Sequence, residues 1–301
     1  MAVEIPFRRD FEITHGEMVT LTPMIRRMVA PNPSPFSFKG TSTYVIGHGQ
    51  VALIDPGPAI PEHVDALLGA LEGEEITHIV ITHTHLDHSP AARMVQDRVP
   101  VETYAFGPHG SGRHEAGAMV EEGGDLEFTP DIALLHTELI IGDVWTLEAV
   151  HTPGHTSNHL CYALAQEDAL FTGDHVMGWS TSIVSPPDGD MADYVRSLDL
   201  LIDRGDGIYW PGHGPAIEDT GGYVKAFKTH RAEREDQLLD ALSAGPRTIE
   251  DMVPDIYVGL ATNLLAAAGR STFAAMIKLQ AEGRVRAEGE VSLGAVYSLA
   301  S

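Results

Sequence analysis

The sequence predicts a layered α/β sandwich with a small second unit behind it, and three observations carry that prediction. Short apolar runs of strand length alternate with stretches of helical spacing. Histidines and aspartates gather just after those runs, at the ends of the expected strands. The charge balance changes along the chain: residues 1–220 hold 10 Lys and Arg against 33 Asp and Glu, whereas residues 221–301 hold 9 against 10. A length of 301 residues leaves room for two units, because single cores stop growing at about 250–300 residues.

Residues 43–46 and 51–54 are apolar runs joined by Gly47-His48-Gly49-Gln50. Asp55-Pro56-Gly57-Pro58 stops the second run, so the pair reads as a hairpin with a sharp end. Residues 60–71 carry Val64, Leu67, Leu68 and Leu71 at helical spacing, and 76–82 form a buried strand running into a histidine-rich turn. Further strands are expected at 144–150, 160–163, 169–172 and 207–210, each followed by a polar candidate ligand. Residues 221–242 read as one charged amphipathic helix ended by Gly245-Pro246. The remainder offers three short helices (248–253, 259–268 and 271–281) and two β-like pieces (284–287 and 295–299) around Gly289, the order of a winged helix. The expected division is a body of residues 1–220, a linker helix over 221–245 and a winged-helix-like unit over 246–301.

A formal charge of −24 disfavours casual contact with nucleic acid or anionic membranes, because that affinity comes largely from Lys and Arg. No apolar run approaches the ~20 residues that cross a bilayer. Residues 1–10, MAVEIPFRRD, lack the apolar stretch and cleavage site of a secretory signal, so a cytoplasmic protein is expected. The single cysteine, Cys161, excludes an internal disulfide and a thiolate cluster. Any metal must be held by nitrogen and oxygen.

The densest chemistry is Thr82-His83-Thr84-His85-Leu86-Asp87-His88, directly after a β-rich run. Residues two apart in extended chain point the same way. His83 and His85 can therefore grip one ion, and the turn that follows can swing Asp87 and His88 toward another. His151 in His151-Thr152-Pro153-Gly154-His155, Asp174 in Gly173-Asp174-His175 and His213 in Pro211-Gly212-His213-Gly214 each follow a strand and stand beside glycine. Two divalent ions a few Å apart would hold a hydroxide between them, lowering the pKa of bound water from about 15.7 toward about 7. Zinc is the default for such ligands, and iron or manganese suits them too.

In this order the motifs resemble the metallo-β-lactamase superfamily over roughly residues 15 to 220. The resemblance implies a four-layer αββα sandwich and a metal-dependent hydrolase. It assigns His83, His85 and His151 to the first ion, Asp87, His88 and His213 to the second, and Asp174 to the bridge. Asp174 stands where some true β-lactamases place a cysteine, which argues against antibiotic hydrolysis. Gly40 to Gly47, the Asp55-Pro56-Gly57 turn, 151–159 and 209–215 look like the β-lactamase-like subfamily that carries a C-terminal winged helix and includes an endoribonuclease. Asp55 resembles the family aspartate that fixes the histidine loop.

Other residues have two readings each. His155 belongs to the glycine turn after His151 and is either structural or a substrate contact. His159 either begins a buried strand or leans into the cleft as a catalytic proton donor. His109, His114 and His136 are isolated and receive no role. The loop over 178–190 is expected to border the cleft and select substrate, as long loops often do. Arg270, Lys278, Arg284 and Arg286 could face a phosphate backbone, although Glu282, Glu288 and Glu290 are interleaved with them.

The function expected is a dinuclear hydrolase in which metal-bound hydroxide attacks a thioester, ester or phosphodiester, with Asp87 as the orienting base and a small molecule or short RNA as substrate. Three alternatives stand beside it. One is a single-stranded RNA endonuclease of the same fold, and another is a winged-helix nucleic-acid-binding regulator with a vestigial metal site. The third is a two-iron redox protein, disfavoured because the tail has no Gly-rich phosphate loop. No membrane partner is expected, and such tails leave a homodimer open.

Overall fold

The structure, a computed structural model, describes residues 3–113 and 123–300. Among these residues, one sheet runs in chain order across its width: β1 (Val19–Thr20), β2 (Ile25–Val29), β3 (Ser42–Ile46), β4 (Gln50–Ile54), β5 (Glu75–Val80), β6 (Glu102–Ala105) and β7 (Ile132–Ala133). A second sheet contains β8 (Leu139–Ile141), β9 (Thr146–His151), β10 (Leu160–Leu164), β11 (Ala169–Gly173) and β12 (Ile208–Pro211), in the order β12-β11-β10-β9-β8. At three of the parallel pairs a helix makes the return that parallel pairing demands. Helix α1 (Pro61–Ala70) joins β4 to β5, α2 (Ala91–Gln96) joins β5 to β6, and α3 (Met191–Arg204) joins β11 to β12.

Alternation along the strands builds the layers. In β4, Ala52 and Ile54 face the second sheet and pack near Tyr162 and Phe171, while Val51 and Leu53 face Val64 and Leu67 of α1. In the second sheet Leu147 and Ala149 point inward, and Val150, Cys161 and Leu170 point outward to Tyr194 and Leu198 of α3. The result is helices, sheet, sheet, helices. Strands buried on both faces read as continuous apolar runs rather than alternating ones. Each such side chain, Leu53 and Ile79 among them, is fully buried and contributes about 1.5–3 kcal/mol.

Helix α4 (Thr220–Ser243) belongs to two cores. Tyr223, Val224 and Phe227 pack into the body, whereas Leu238 and Leu242 join α5 (Ile249–Ile256) and α6 (Leu265–Ala281). A small sheet of β13 (Arg247–Thr248), β14 (Val285–Ala287) and β15 (Val296–Leu299), ordered β13-β15-β14, completes this second core.

Three elements depart from the sequence reading. The stretches 259–268 and 271–281 do not form two helices: α6 runs through Gly269, because Ala267, Ala268, Ser271 and Thr272 are buried along it. That burial outweighs the roughly 1 kcal/mol cost of a helical glycine. Strand β2 carries Arg26 and Arg27, an unpromising pair for a buried strand. Arg26 is accommodated by both oxygens of Glu74, at 2.6 and 2.9 Å, and Arg27 by the face of Phe11 at 4.6 Å. Helix α3 has no counterpart in the sequence reading. Asp190 caps it by accepting a hydrogen bond from the Asp193 N–H.

Candidate metal centre

The chemistry-bearing side chains meet where β5, β9, β11 and β12 end. Past β5 the chain turns sharply, and Asp55, left-handed at φ 50° at the end of β4, holds the turn. Its Oδ1 accepts from the Thr82 N–H at 2.8 Å, and its Oδ2 accepts from the Thr82 hydroxyl at 2.6 Å and from His88 Nδ1 at 2.8 Å. Such a conformation is uncommon outside glycine and recurs where surrounding bonds over-determine it.

Two groups of ligand atoms result. His83 Nε2 and His155 Nε2 stand 3.0 and 3.1 Å from His85 Nδ1, close to the spacing of about 3.3 Å between nitrogens that share a tetrahedral zinc. Asp87 Oδ2 lies 3.5 Å from His88 Nε2 and 3.2 Å from His213 Nε2. Asp174 reaches both groups. Its Oδ2 is 3.2 Å from His213 Nε2 and 3.8 Å from His155 Nε2, and its Oδ1 is 3.5 Å from His88 Nε2. Gly212 makes this approach possible, since a Cβ there would come within 2.7 Å of Asp174 Oδ1.

The outer face of each ring sets which nitrogen looks inward. His88 Nδ1 donates to Asp55, His155 Nδ1 to the Ile183 carbonyl at 2.6 Å, and His213 Nδ1 to the Gly40 carbonyl at 3.2 Å. The Thr82 hydroxyl spends its hydrogen on Asp55, so it accepts from His83 Nδ1 at 3.0 Å. All four rings thereby turn Nε2 toward the cluster, the nitrogen left to ligate metal once a cation displaces any proton on it. His88 Nε2 and Asp174 Oδ1 are buried with no hydrogen-bond partner. Such orphans are costly, and a cation between them answers both. The residues fit divalent metal.

The electrostatics divide the centre. Burial pushes His83 well below the ordinary histidine value, assisted by the neighbouring imidazoles. Burial opposes charge on His88 as well, yet Asp87, Asp174 and Asp55 hold its imidazole up at about 9. Burial favours protonated Asp174, but His213 and His88 bring it down to about 2. One side is a nest of imidazoles in which burial disfavours charge on His83, and the other is a carboxylate-rich pocket where protons stand in for a cation.

His83, His85, Asp87, His88, Asp174 and His213 are brought together as expected. His151 is not. It ends β9 with the same parity as Leu147 and Ala149, its ring stacks on Phe106 at 4.2 Å, and its Nε2 donates to the Ser157 carbonyl at 3.1 Å. His155 occupies the place expected for His151. Gly154, at φ 140°, has its Cα against the backbone of Tyr194, where a Cβ would sit 2.3 Å from the Tyr194 Cα. That contact turns His155 inward. The signal was the glycine before His155, inside a turn rather than at a strand end.

His159 is also corrected. It is fully buried behind Asp174, with Nδ1 2.9 Å from the Thr152 hydroxyl and Nε2 accepting from the Asp174 N–H at 3.3 Å. It cannot reach a leaving group in the cleft and instead steadies Asp174. His109 is not isolated: it is buried, 2.9 Å from the Thr84 hydroxyl. His136 accepts the His151 N–H at 3.2 Å, and His114 lies outside the described residues. The loop over 178–190 does border the cleft through Ile183, and it is pinned from the C-terminal side. Arg231 of α4 donates to the Ser182 carbonyl, and Ser271 of α6 accepts from the Val184 N–H at 3.3 Å. The cleft itself has a volume of about 400 Å³, with Phe36, Leu86, Met177 and Arg270 around the ligand groups.

Comparison with known proteins agrees with this geometry. Residues 37–213 match the metallo-beta-lactamase superfamily, and residues 248–294 match the beta-lactamase-associated winged helix domain. A lactamase-like protein, adaB, of Aspergillus niger is 30% identical, covering 97% of this chain and 95% of its own. An atrochrysone carboxyl ACP thioesterase of Aspergillus chevalieri is 30% identical over 79% of this chain and 74% of its own. A beta-lactamase domain protein from Burkholderia ambifaria shares the fold, with a TM-score of 0.79 at 17% identity, covering 97% of this chain and 96% of that one. No helix among the described residues is long and apolar enough to cross a membrane. With the αββα layers, the ring of inward nitrogens and the fused winged helix all in agreement, the chain belongs to the metallo-beta-lactamase superfamily and is a metal-dependent hydrolase.

Proposed function

We propose that this hydrolase works with two divalent cations and cleaves a thioester. The first cation belongs with His83, His85 and His155, the second with Asp87, His88 and His213, and Asp174 serves both. Zinc is the first choice, with iron and manganese open to the same donors. The observation that carries this reading is the pair of buried orphan atoms, His88 Nε2 and Asp174 Oδ1, inside two converging groups of ligand atoms. Divalent cations there would supply Lewis acidity toward a carbonyl oxygen and bring the pKa of water from about 15.7 toward about 7.

The chain's own residues do the rest. The Thr41 hydroxyl donates to Asp87 Oδ2 at 2.9 Å and steadies that partly exposed carboxylate at the cleft. Asp87 then orients the attacking water and takes its proton. Phe36, Leu86, Met177 and Ile183 give the cleft an apolar lining around the scissile group. The body of residues 1–220 carries this chemistry, joined by 221–245 to the winged-helix unit of 246–301.

Two observations favour a thioester over a phosphodiester. His159 is sealed from the cleft, so it cannot protonate a leaving group. A thiolate, with a conjugate acid near pKa 8.5, departs without that help more readily than an alkoxide does. Three of the four basic residues singled out in the tail are also committed, and Arg270 stands apart from them at the cleft. Lys278 lies 2.9 Å from Glu235 and 2.8 Å from Glu282, Arg284 lies 3.4 Å from Glu282, and Arg286 donates to Ser298 at 3.0 Å. They form no free stripe for a phosphate backbone. The name of the Aspergillus chevalieri relative, a thioesterase, supports the same choice. A ring of ligand groups this complete argues against a vestigial site.

The test is a turnover screen of the metal-loaded protein against acyl thioesters, lactones, bis-p-nitrophenyl phosphate and short single-stranded RNA. Thioesters are expected to be the preferred class. Preferred RNA cleavage would overturn the assignment, and salt-dependent RNA binding without turnover would favour a regulator.

A further inference from the structure

The cleft over the ligand groups does not end at the α/β body. Phe36, Met177 and Ile183 wall it, and the same three residues wall a second cavity of about 300 Å³ that runs between the body and α6. Trp179, Leu264 and Ala267 continue the apolar lining on the far side. The two volumes adjoin at these three side chains, and together they have the size that takes an elongated small molecule.

Its charge is the reverse of the molecule's. In a chain of net charge −24, the second cavity is lined by Arg9, Arg231 and Arg234 and, among the described residues, by no carboxylate. Around the first, the carboxylates among the described residues are Asp87 and Asp174, both committed to the ligand groups. Arg231 and Arg234 are occupied: Arg231 donates to the Ser182 carbonyl and lies over Tyr194, and Arg234 donates to the Ile256 carbonyl at 3.0 Å and lies over Tyr257. Arg270 differs. It projects from α6 into the lining of the first cavity, half-buried, and among the described residues it has no hydrogen bond or ion pair. A half-desolvated guanidinium left unpaired beside a reaction cleft is poised for an anion, and one planar fork matches one carboxylate.

We propose that Arg270 recognises a carboxylate on the substrate while the trough between Phe36 and Leu264 takes its apolar arm. The winged-helix unit is thus a substrate-binding part of the enzyme. This rests on the thioester reading for the identity of the scissile bond, so the substrate is an elongated acyl thioester carrying a carboxylate near the reacting carbonyl.

The test measures binding rather than turnover. Isothermal titration of the full-length, metal-loaded protein would use two matched thioethers that cannot be hydrolysed, 2-(octylthio)acetic acid and 2-(octylthio)acetamide. The wild type is expected to bind the acid roughly 10- to 100-fold more tightly than the amide, the range of a charge-assisted pair. Arg270→Gln should abolish that preference with metal content unchanged, and Arg270→Lys should retain part of it. Leu264→Trp, which fills the trough, should weaken both ligands alike. A preference that survives Arg270→Gln would mean that the carboxylate sits on the metal and would overturn the proposal. So would binding of neither thioether, or octyl binding indifferent to Leu264→Trp. Thioester turnover is measured separately. A protein that selects the acid through Arg270 but leaves thioesters intact would overturn the thioester reading and keep the anion site.

Discussion

His88 and His155 face each other across the centre, and they are held by different parts of the molecule. His88 is anchored locally: Asp55, at the end of the neighbouring strand, takes its outer N–H and also fixes Thr82 at the head of the same turn. His155 is anchored remotely. Its outer nitrogen donates to Ile183, in a loop clamped by Arg231 of α4 and Ser271 of α6. The carboxylate-rich half of the site is therefore assembled by the α/β body alone, whereas the all-imidazole half also depends on elements that lead into the winged-helix unit. Two cations bound as proposed would both draw on Asp174 and still answer to different parts of the chain.

The largest effect should come from the residue that denies the distinction. Asp174→Ala removes the carboxylate common to both halves, so both ions and at least about 100-fold of turnover should be lost. Elemental analysis showing one ion still bound at full occupancy would break the shared-bridge reading. Next, His155→Ala should lose one ion per chain and most turnover, whereas His151→Ala should retain both ions and stay within about twofold of wild type, because His151 belongs to none of the ligand groups among the described residues. The reverse order would restore the sequence-based assignment.

Smaller effects sharpen the contrast. Asp55→Asn weakens the anchor of His88, and metal affinity of the carboxylate-rich half should fall about 10- to 100-fold with the other half less affected. Sequential release of the two ions to a chelator would separate them. Smallest, Ser271→Ala removes one hydrogen bond that steadies the loop behind His155 and should loosen the all-imidazole half by only a few fold, consistent with roughly 1 kcal/mol for a single neutral bond. An equal loss at both halves in either variant would mean that the centre is one rigid unit.

The four-layer body was legible because strands buried on both faces and amphipathic helices leave different periods in the chain. The ligands of the His83 to His88 run were legible because all four, His83, His85, Asp87 and His88, sit in one turn. His151 and His155 were not separable in this way. Both stand in one five-residue motif, and the parity of β9 sends the first onto Phe106, away from the ligand groups, while the packing of Gly154 on Tyr194 turns the second toward them. Likewise, nothing around His159 in sequence announces that it lies behind Asp174.

By itself, then, the order of residues determined the donor types, the metal chemistry they permit and the layered architecture, since these follow from side-chain chemistry and short-range backbone geometry. Tertiary structure decided which histidine completes the site, which one merely supports it, and that Arg270, far along the chain, borders the same cleft as His83 and Asp87's partners. Those outcomes depend on contacts between elements distant in sequence, where a single glycine against a helix backbone redirects a ring and no local pattern records it.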